Sequence, residues 1–117
     1  MKITIYHNPR CSKSRQTLQL LRDQGIDPVI VEYLKNPPDA QEIRGLLKAL
    51  NLKAADLLRT GEAEYRDLGL DGVDVTEDQR IRAMASHPRL IERPIVVRDG
   101  RARLGRPPEN VLELIAE

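Results

Sequence analysis

Apolar positions fall in short blocks along this chain, and their spacing changes from block to block. Ile3 to Tyr6 is a brief strand-like run that Asn8 and Pro9 close. From about Ser12 to Gln24 the spacing becomes helical: Leu18 and Leu21 share a face, Leu20 widens it, and Gly25 stands where helices commonly stop. Val29 to Tyr33 is rich in β-branched residues and predicts a second strand ahead of Asn36, Pro37 and Pro38. Strand, helix and strand in this order favour a parallel pair with a right-handed crossover.

The middle of the chain is helical in pattern. Asp39 and Glu42 have capping-box spacing, with Asp in place of Ser or Thr, and Ile43, Leu46, Leu47 and Leu50 follow at helical intervals. Short helices are predicted near Ala54 to Leu58 and Ala63 to Leu68, and Thr76 with Gln79 caps one carrying Ile81, Met84 and Ala85, which His87 and Pro88 end. The runs Ile95 to Arg98 and Ala102 to Leu104 flank Asp99-Gly100, a pair suited to the positive backbone angles of a type I′ hairpin turn. Pro107 and Pro108 open a last helix whose Val111, Leu114 and Ile115 face inward. The order predicts a mixed sheet with helices packed on it.

Composition narrows what such a fold does. The 117 residues suit one domain, with 32% charged and 40% apolar residues, as in a soluble globular protein. Phe and Trp are absent and the net charge is only +1, so the chain lacks both the stacking surface and the basic excess of a nucleic-acid binder. No run approaches a membrane span or a signal peptide, and a cytoplasmic location is the expectation. One cysteine and two histidines, His7 and His87, exclude an internal disulfide and offer no evident zinc ligand set.

That cysteine, Cys11, is either small packing or a reactive thiol. It lies in Tyr-His-Asn-Pro-Arg-Cys-Ser-Lys-Ser-Arg, residues 6–15, where a strand ends and a helix begins. A thiol is mostly protonated at neutral pH, and the amides and dipole of a helix start stabilise the thiolate. His7, Arg10, Lys13 and Arg15 add positive charge nearby in sequence, and the hydroxyls of Ser12 and Ser14 are candidate donors to the sulfur. The same loop suits an anion. His7 serves either as a loop-fixing hydrogen-bond partner or as a direct influence on the thiolate. Ser14 stands where a C-x-x-C motif has its second cysteine, so an outside thiol must complete any redox cycle.

The chain resembles the glutaredoxin-dependent arsenate reductase family over essentially its whole length. The likeness rests on residues 5–15, on Tyr-Leu-Lys-Asn-Pro-Pro after the second strand, on Leu-Leu-Arg around Arg59, on Glu-Arg-Pro-Ile-Val-Val around Arg93, and on Gly-Arg-Pro-Pro-Glu around Arg106. The resemblance implies a thioredoxin/glutaredoxin-like α/β fold: a mixed four-stranded sheet with a helical insertion between strands 2 and 3. The expected single domain spans 1–117, with strand-helix-strand at 1–35, the insertion at about 39–90, and the hairpin and last helix at 91–117. It implies Cys11 as the nucleophile toward arsenate and Arg59, Arg93 and Arg106 as the holders of the oxyanion, with His7, Ser14, Arg15 and Pro94 in support. Pro94 is expected to follow a cis bond beside the cysteine. No bound cofactor or metal is implied; glutathione enters as co-substrate and glutaredoxin as partner.

A multiply charged tetrahedral oxyanion repels a thiolate, and arginine forks, which engage two oxygens at once, offset that repulsion. Arg10, Ser12 and Lys13 depart from the smaller residues that flank the cysteine in some family members, and Gly105 stands where some carry another cysteine. Two other functions fit the same resemblance: a thiol-dependent reductase of another small anion or glutathione-linked substrate, and a thioredoxin-like regulator that binds RNA polymerase. The absence of C-x-x-C counts against the regulator.

Overall fold

The computed structural model describes residues 2–116. In chain order the elements are β1 (Ile3–His7), α1 (Ser12–Asp23), β2 (Val29–Glu32), α2 (Ala40–Leu50), α3 (Ala54–Leu57), α4 (Ala63–Asp67), α5 (Glu77–Ser86), β3 (Ile95–Arg98), β4 (Arg101–Leu104) and α6 (Leu112–Ile115). Short 3₁₀ turns occupy Pro88–Leu90 and Pro108–Val111. They form two compact units, one holding Met1–Asn36 and Arg93–Glu117, the other Pro37–Glu92.

The first unit is a mixed four-stranded sheet in the order β2-β1-β3-β4. β1 runs parallel to β2 and antiparallel to β3, and β3 pairs antiparallel with β4. Residues alternate across β1, so Ile3, Ile5 and His7 are buried while Thr4 and Tyr6 are partly covered. Ile3 and Ile5 join Val96, Leu18 and Leu21 of α1, and Val111 and Leu114 of the C-terminal segment in one core. Burial of each such side chain is worth about 1.5–3 kcal/mol, and this core is what holds α1 on the sheet.

Glycine ends α1 as its position predicts. Gly25 takes φ +78°, its N–H bonds the Arg22 carbonyl at 2.9 Å, and the Ile26 N–H bonds the Leu21 carbonyl at 3.0 Å. This is a Schellman closure with Ile26 packed on the core. Asp99 and Gly100 have φ of 50° and 80°, the paired positive values of a I′ turn, and Arg98 pairs with Arg101 across it. The Arg93-Pro94 bond is cis, as is Arg106-Pro107.

The last helix differs from expectation. Pro108–Val111 is a 3₁₀ turn and only Leu112–Ile115 is α-helical. Pro107 and Pro108 supply no N–H, and the segment begins on an Asn110 N–H to Pro107 carbonyl bond of 3.0 Å, the short-range pattern of a 3₁₀ turn. Val111 and Leu114 are fully buried and Ile115 partly so.

The second unit is helical. Asp39 accepts the Glu42 N–H at 2.8 Å to start α2, which buries Ile43, Leu46, Leu47 and Leu50 and packs against α5. Asn51, with φ 58°, ends α2 in the left-handed conformation. Thr76 and Gln79 form the full reciprocal box at the start of α5.

Candidate active site

The site is built where β1 hands the chain to α1. Asn8 shapes that loop: its carbonyl accepts the Cys11 N–H at 3.0 Å, its Oδ1 accepts the Arg10 N–H at 3.0 Å, and its own N–H donates to Ser14 Oγ at 3.0 Å. These bonds place Cys11 at the N-cap of α1 with extended backbone angles, φ −95° and ψ 124°. An Asn-Pro pair marks a turn from sequence, but its three loop bonds depend on where residues 10, 11 and 14 lie in space.

Cys11 is reduced and only 9% exposed. Its thiol makes no capping hydrogen bond of ordinary geometry. Burial pushes its pKa up, yet the backbone amides of Ser14 and Lys13 and the guanidinium of Arg93 together outweigh burial and hold it below the ordinary thiol value. Thiolate formation is therefore favoured at the positive end of the helix, one of the settings in which cysteine is reactive.

The structure sorts the sequence candidates. Arg93, partly buried, is the side chain whose charge and hydrogen bond reach the sulfur. Arg106 lies in the same unit, exposed, and its Nη1 donates to the Arg93 carbonyl at 3.3 Å. Pro94 is fully buried behind Arg93. Arg59 stands in the other unit, where its amide donates to the Leu90 carbonyl at 2.8 Å and its guanidinium pairs with Glu62 at 2.6 Å and with Glu92 at 3.7 Å.

Support from the first loop takes a different form from the one the sequence suggests. Ser14 is fully buried, and its hydroxyl is engaged with His7 Nδ1 at 2.6 Å and the Asn8 N–H at 3.0 Å; it is the Ser14 amide that acts on Cys11. His7 is buried, and desolvation is the main cause that keeps its pKa below the ordinary imidazole value, with Glu32 opposing and Arg22 and Arg15 adding to the fall. A neutral His7 fixes the loop rather than adding charge to it. Arg15 donates from Nη1 to the Pro9 carbonyl at 3.0 Å and so braces the same loop. Arg10, Ser12 and Lys13 are exposed. Among the described residues no cluster of His, Cys, Asp and Glu is placed to hold a metal ion, and no helix is long and apolar enough to cross a membrane.

Thr17 escaped the sequence reading, and Gly105 entered it only as a departure from family members that carry cysteine there. Thr17 is a fully buried hydroxyl on α1, and Gly105 leaves no room for a side chain between Thr17 and Pro94. Nothing in local spacing brings positions 17 and 105 together; the sheet does.

Known proteins resemble this chain over nearly its whole length. The chain is 50% identical over 115 residues to the uncharacterized protein YfgD of Escherichia coli K12, with 97% of each chain covered. It is 46% identical over 111 residues to an arsenate reductase of Neisseria meningitidis serogroup B, covering 94% of this chain and 95% of that one. The structure of an arsenate reductase from Vibrio cholerae matches with a TM-score of 0.95 at 49% identity, covering 97% of both chains. The ArsC family model matches residues 6–114, a span running from the last residues of β1 through the Cys11 loop, Arg93 and Arg106 into α6, and on that match the chain belongs to the ArsC family.

Proposed function

We propose that this chain is an arsenate reductase in which Cys11 is the attacking thiolate. One observation carries the reading: the lone sulfur sits at the start of α1 with the Ser14 and Lys13 amides and the Arg93 guanidinium stabilising its charge. The names of relatives at more than 40% identity support arsenate as the substrate.

In the reaction, Sγ of Cys11 bonds to arsenic while the As–O bond to one arsenate hydroxyl breaks, that hydroxyl taking a proton from solvent and leaving as water. Positive donors are needed because a thiolate meets an anion; Arg93 and Arg106 supply them from two segments of one unit, and the family pattern gives Arg59 the same role. No second cysteine exists to displace the adduct. External thiols therefore supply the electrons: glutathione attacks Sγ of Cys11, the S–As bond breaks with its electron pair on arsenic, which leaves as arsenite, and a glutaredoxin thiol then takes glutathione from the resulting mixed disulfide and frees the Cys11 thiolate. Over the cycle two thiols become one disulfide and arsenic gains two electrons. A free thiol suits a reducing compartment, and the cytoplasm is the location we assign.

The test is arsenite formation by the purified chain with arsenate, glutathione and glutaredoxin, each omitted in turn. Turnover that requires all three supports the reading. Full activity in Cys11→Ala, or activity without any external thiol, defeats it.

A further inference from the structure

We propose that Thr17 is a positioning residue for Cys11: seated against Gly105, which also abuts Pro94, its side chain sets how closely the first turn of α1 approaches the backbone that carries Arg93. The proposal rests on Cys11 as the reacting group and assigns Thr17 no contact with substrate.

Three observations carry it. Thr17 is fully buried although polar, and its hydroxyl donates back to the Lys13 carbonyl at 2.8 Å, with the Gly105 carbonyl at 3.4 Å. A single hydroxyl thus spans the first turn of α1 and the residue that follows β4. Next, a β-carbon placed on Gly105 meets Thr17 Oγ1 at 2.4 Å, Pro94 Cγ at 2.8 Å and Thr17 Cγ2 at 3.0 Å. All lie well inside normal van der Waals separation. Gly105 does not adopt a positive φ, so the glycine is required here by space and not by backbone angle. Finally, the Gly105 N–H donates to the Pro94 carbonyl at 2.9 Å, and Arg106 Nη1 donates to the Arg93 carbonyl. The segments that carry the two arginines are therefore bonded to each other and meet α1 at Thr17.

The consequence is mechanical. The donors acting on Cys11 come from both sides of this contact: the Ser14 and Lys13 amides from α1, and the guanidinium from residue 93. Anything that wedges position 105 away from Thr17 parts one set from the other. Close-packed interiors transmit such a displacement instead of absorbing it.

The experiment reads the sulfur directly, as the pH dependence of iodoacetamide alkylation of Cys11 in the full chain, with circular dichroism to confirm folding. In Gly105→Ala the midpoint rises and alkylation at neutral pH slows by roughly threefold or more. Adding Thr17→Ala to Gly105→Ala makes room for the new methyl and returns the rate to within about twofold of the parent. An unchanged profile in Gly105→Ala, or a double variant as slow as the single one, overturns the proposal. Should Gly105→Ala not fold, Thr17→Ser decides, because it keeps the hydroxyl and removes the methyl that abuts position 105. With less bulk at the contact α1 settles closer to the segment that carries Arg93, so a lowered midpoint supports the proposal and an unmoved or raised midpoint refutes it. Arsenate turnover measured on the same proteins separates the two readings: absence of turnover in the parent chain alongside the predicted alkylation pattern removes arsenate as substrate and leaves the role of Thr17 standing.

Discussion

At the start of α5, Thr76 Oγ1 takes the Gln79 N–H at 3.1 Å and Gln79 Oε1 takes the Thr76 N–H at 2.9 Å; at the start of α1 the same position is held by Cys11, whose side chain makes no such bond. The first turn of α5 adds Glu77 and Asp78, which complement the helix dipole, whereas the first turn of α1 contains no acid. One helix start satisfies its own donors with permanent partners. The other leaves amides and dipole facing a group that gains charge only when it ionises. The contrast separates a helix end built for stability from one whose polarity remains available to a thiolate or an oxyanion.

Cys11→Ser breaks the contrast most severely, because it turns the start of α1 into an ordinary cap. Arsenite formation is expected to fall at least about 10³-fold, since a hydroxyl is far less acidic than a thiol. Stability, followed by urea denaturation, is expected to hold or rise by up to about 1 kcal/mol. Loss of turnover without loss of stability is the signature of a site that traded capping for chemistry.

Ser14→Ala attacks the loop beneath the sulfur. It leaves His7 Nδ1 and the Asn8 N–H without the hydroxyl they share, at a cost of about 1–3 kcal/mol in urea denaturation. The same buried pair has a pH signature. Because burial lowers the His7 pKa in the folded chain, the unfolded chain takes up a proton first on acidification. His7's contribution to stability is thus fully present above about pH 6.5 and declines as pH falls below it. His7→Gln flattens that part of the stability profile; an equally steep decline in the variant assigns the acid sensitivity elsewhere.

Arg93→Ala tests the side-chain share of the stabilising field. Removing the cation raises the ionisation midpoint of Cys11, so the thiolate fraction at neutral pH drops and alkylation slows about tenfold. The α1 amides remain, which makes the effect smaller than loss of the sulfur itself. A midpoint that does not move shows the amides to be sufficient alone.

How much of this was legible in the residues depends on the range of the interaction that decides it. Caps and turns are local, so Asp39, Thr76 with Gln79, Gly25 and Asp99-Gly100 mark their elements correctly, and the strand-to-helix placement of Cys11 follows from the same signals. The mixed four-stranded sheet follows from element order together with the family resemblance. The charge around the sulfur does not. Arg10, Lys13 and Arg15 are its neighbours in sequence, yet Arg10 and Lys13 are exposed and Arg15 reaches back to the Pro9 carbonyl, while the cation that acts on Cys11 comes from position 93. Spacing of one or two residues around a helix start points side chains in different directions, whereas antiparallel pairing of β1 with β3 brings residue 95 opposite residue 6. Ser14 acts on the sulfur through its amide because its hydroxyl is already held by His7 and Asn8, a competition that residue identity alone does not reveal. Thr17 and Gly105 are further still from local logic, since only the packed sheet and helix make one the limit on the other.

Thr76→Ala gives the smallest effect and tests the other half of the comparison. It removes the acceptor for the Gln79 N–H and leaves the amides of the first turn of α5 to water. The cost is about 1 kcal/mol, the usual worth of a Ser or Thr cap, and urea denaturation resolves a change of that size. Thr76→Ser keeps the acceptor and is expected to recover most of the loss. If α5 depends on its cap in this way while Cys11→Ser leaves α1 as stable as before or more so, the two helix starts differ in what their donors serve. Equal and opposite shifts in the wrong directions, with Thr76→Ala neutral and Cys11→Ser destabilising, would mean that the thiol already acts as a structural cap, and that the amides at α1 are not free for a developing charge.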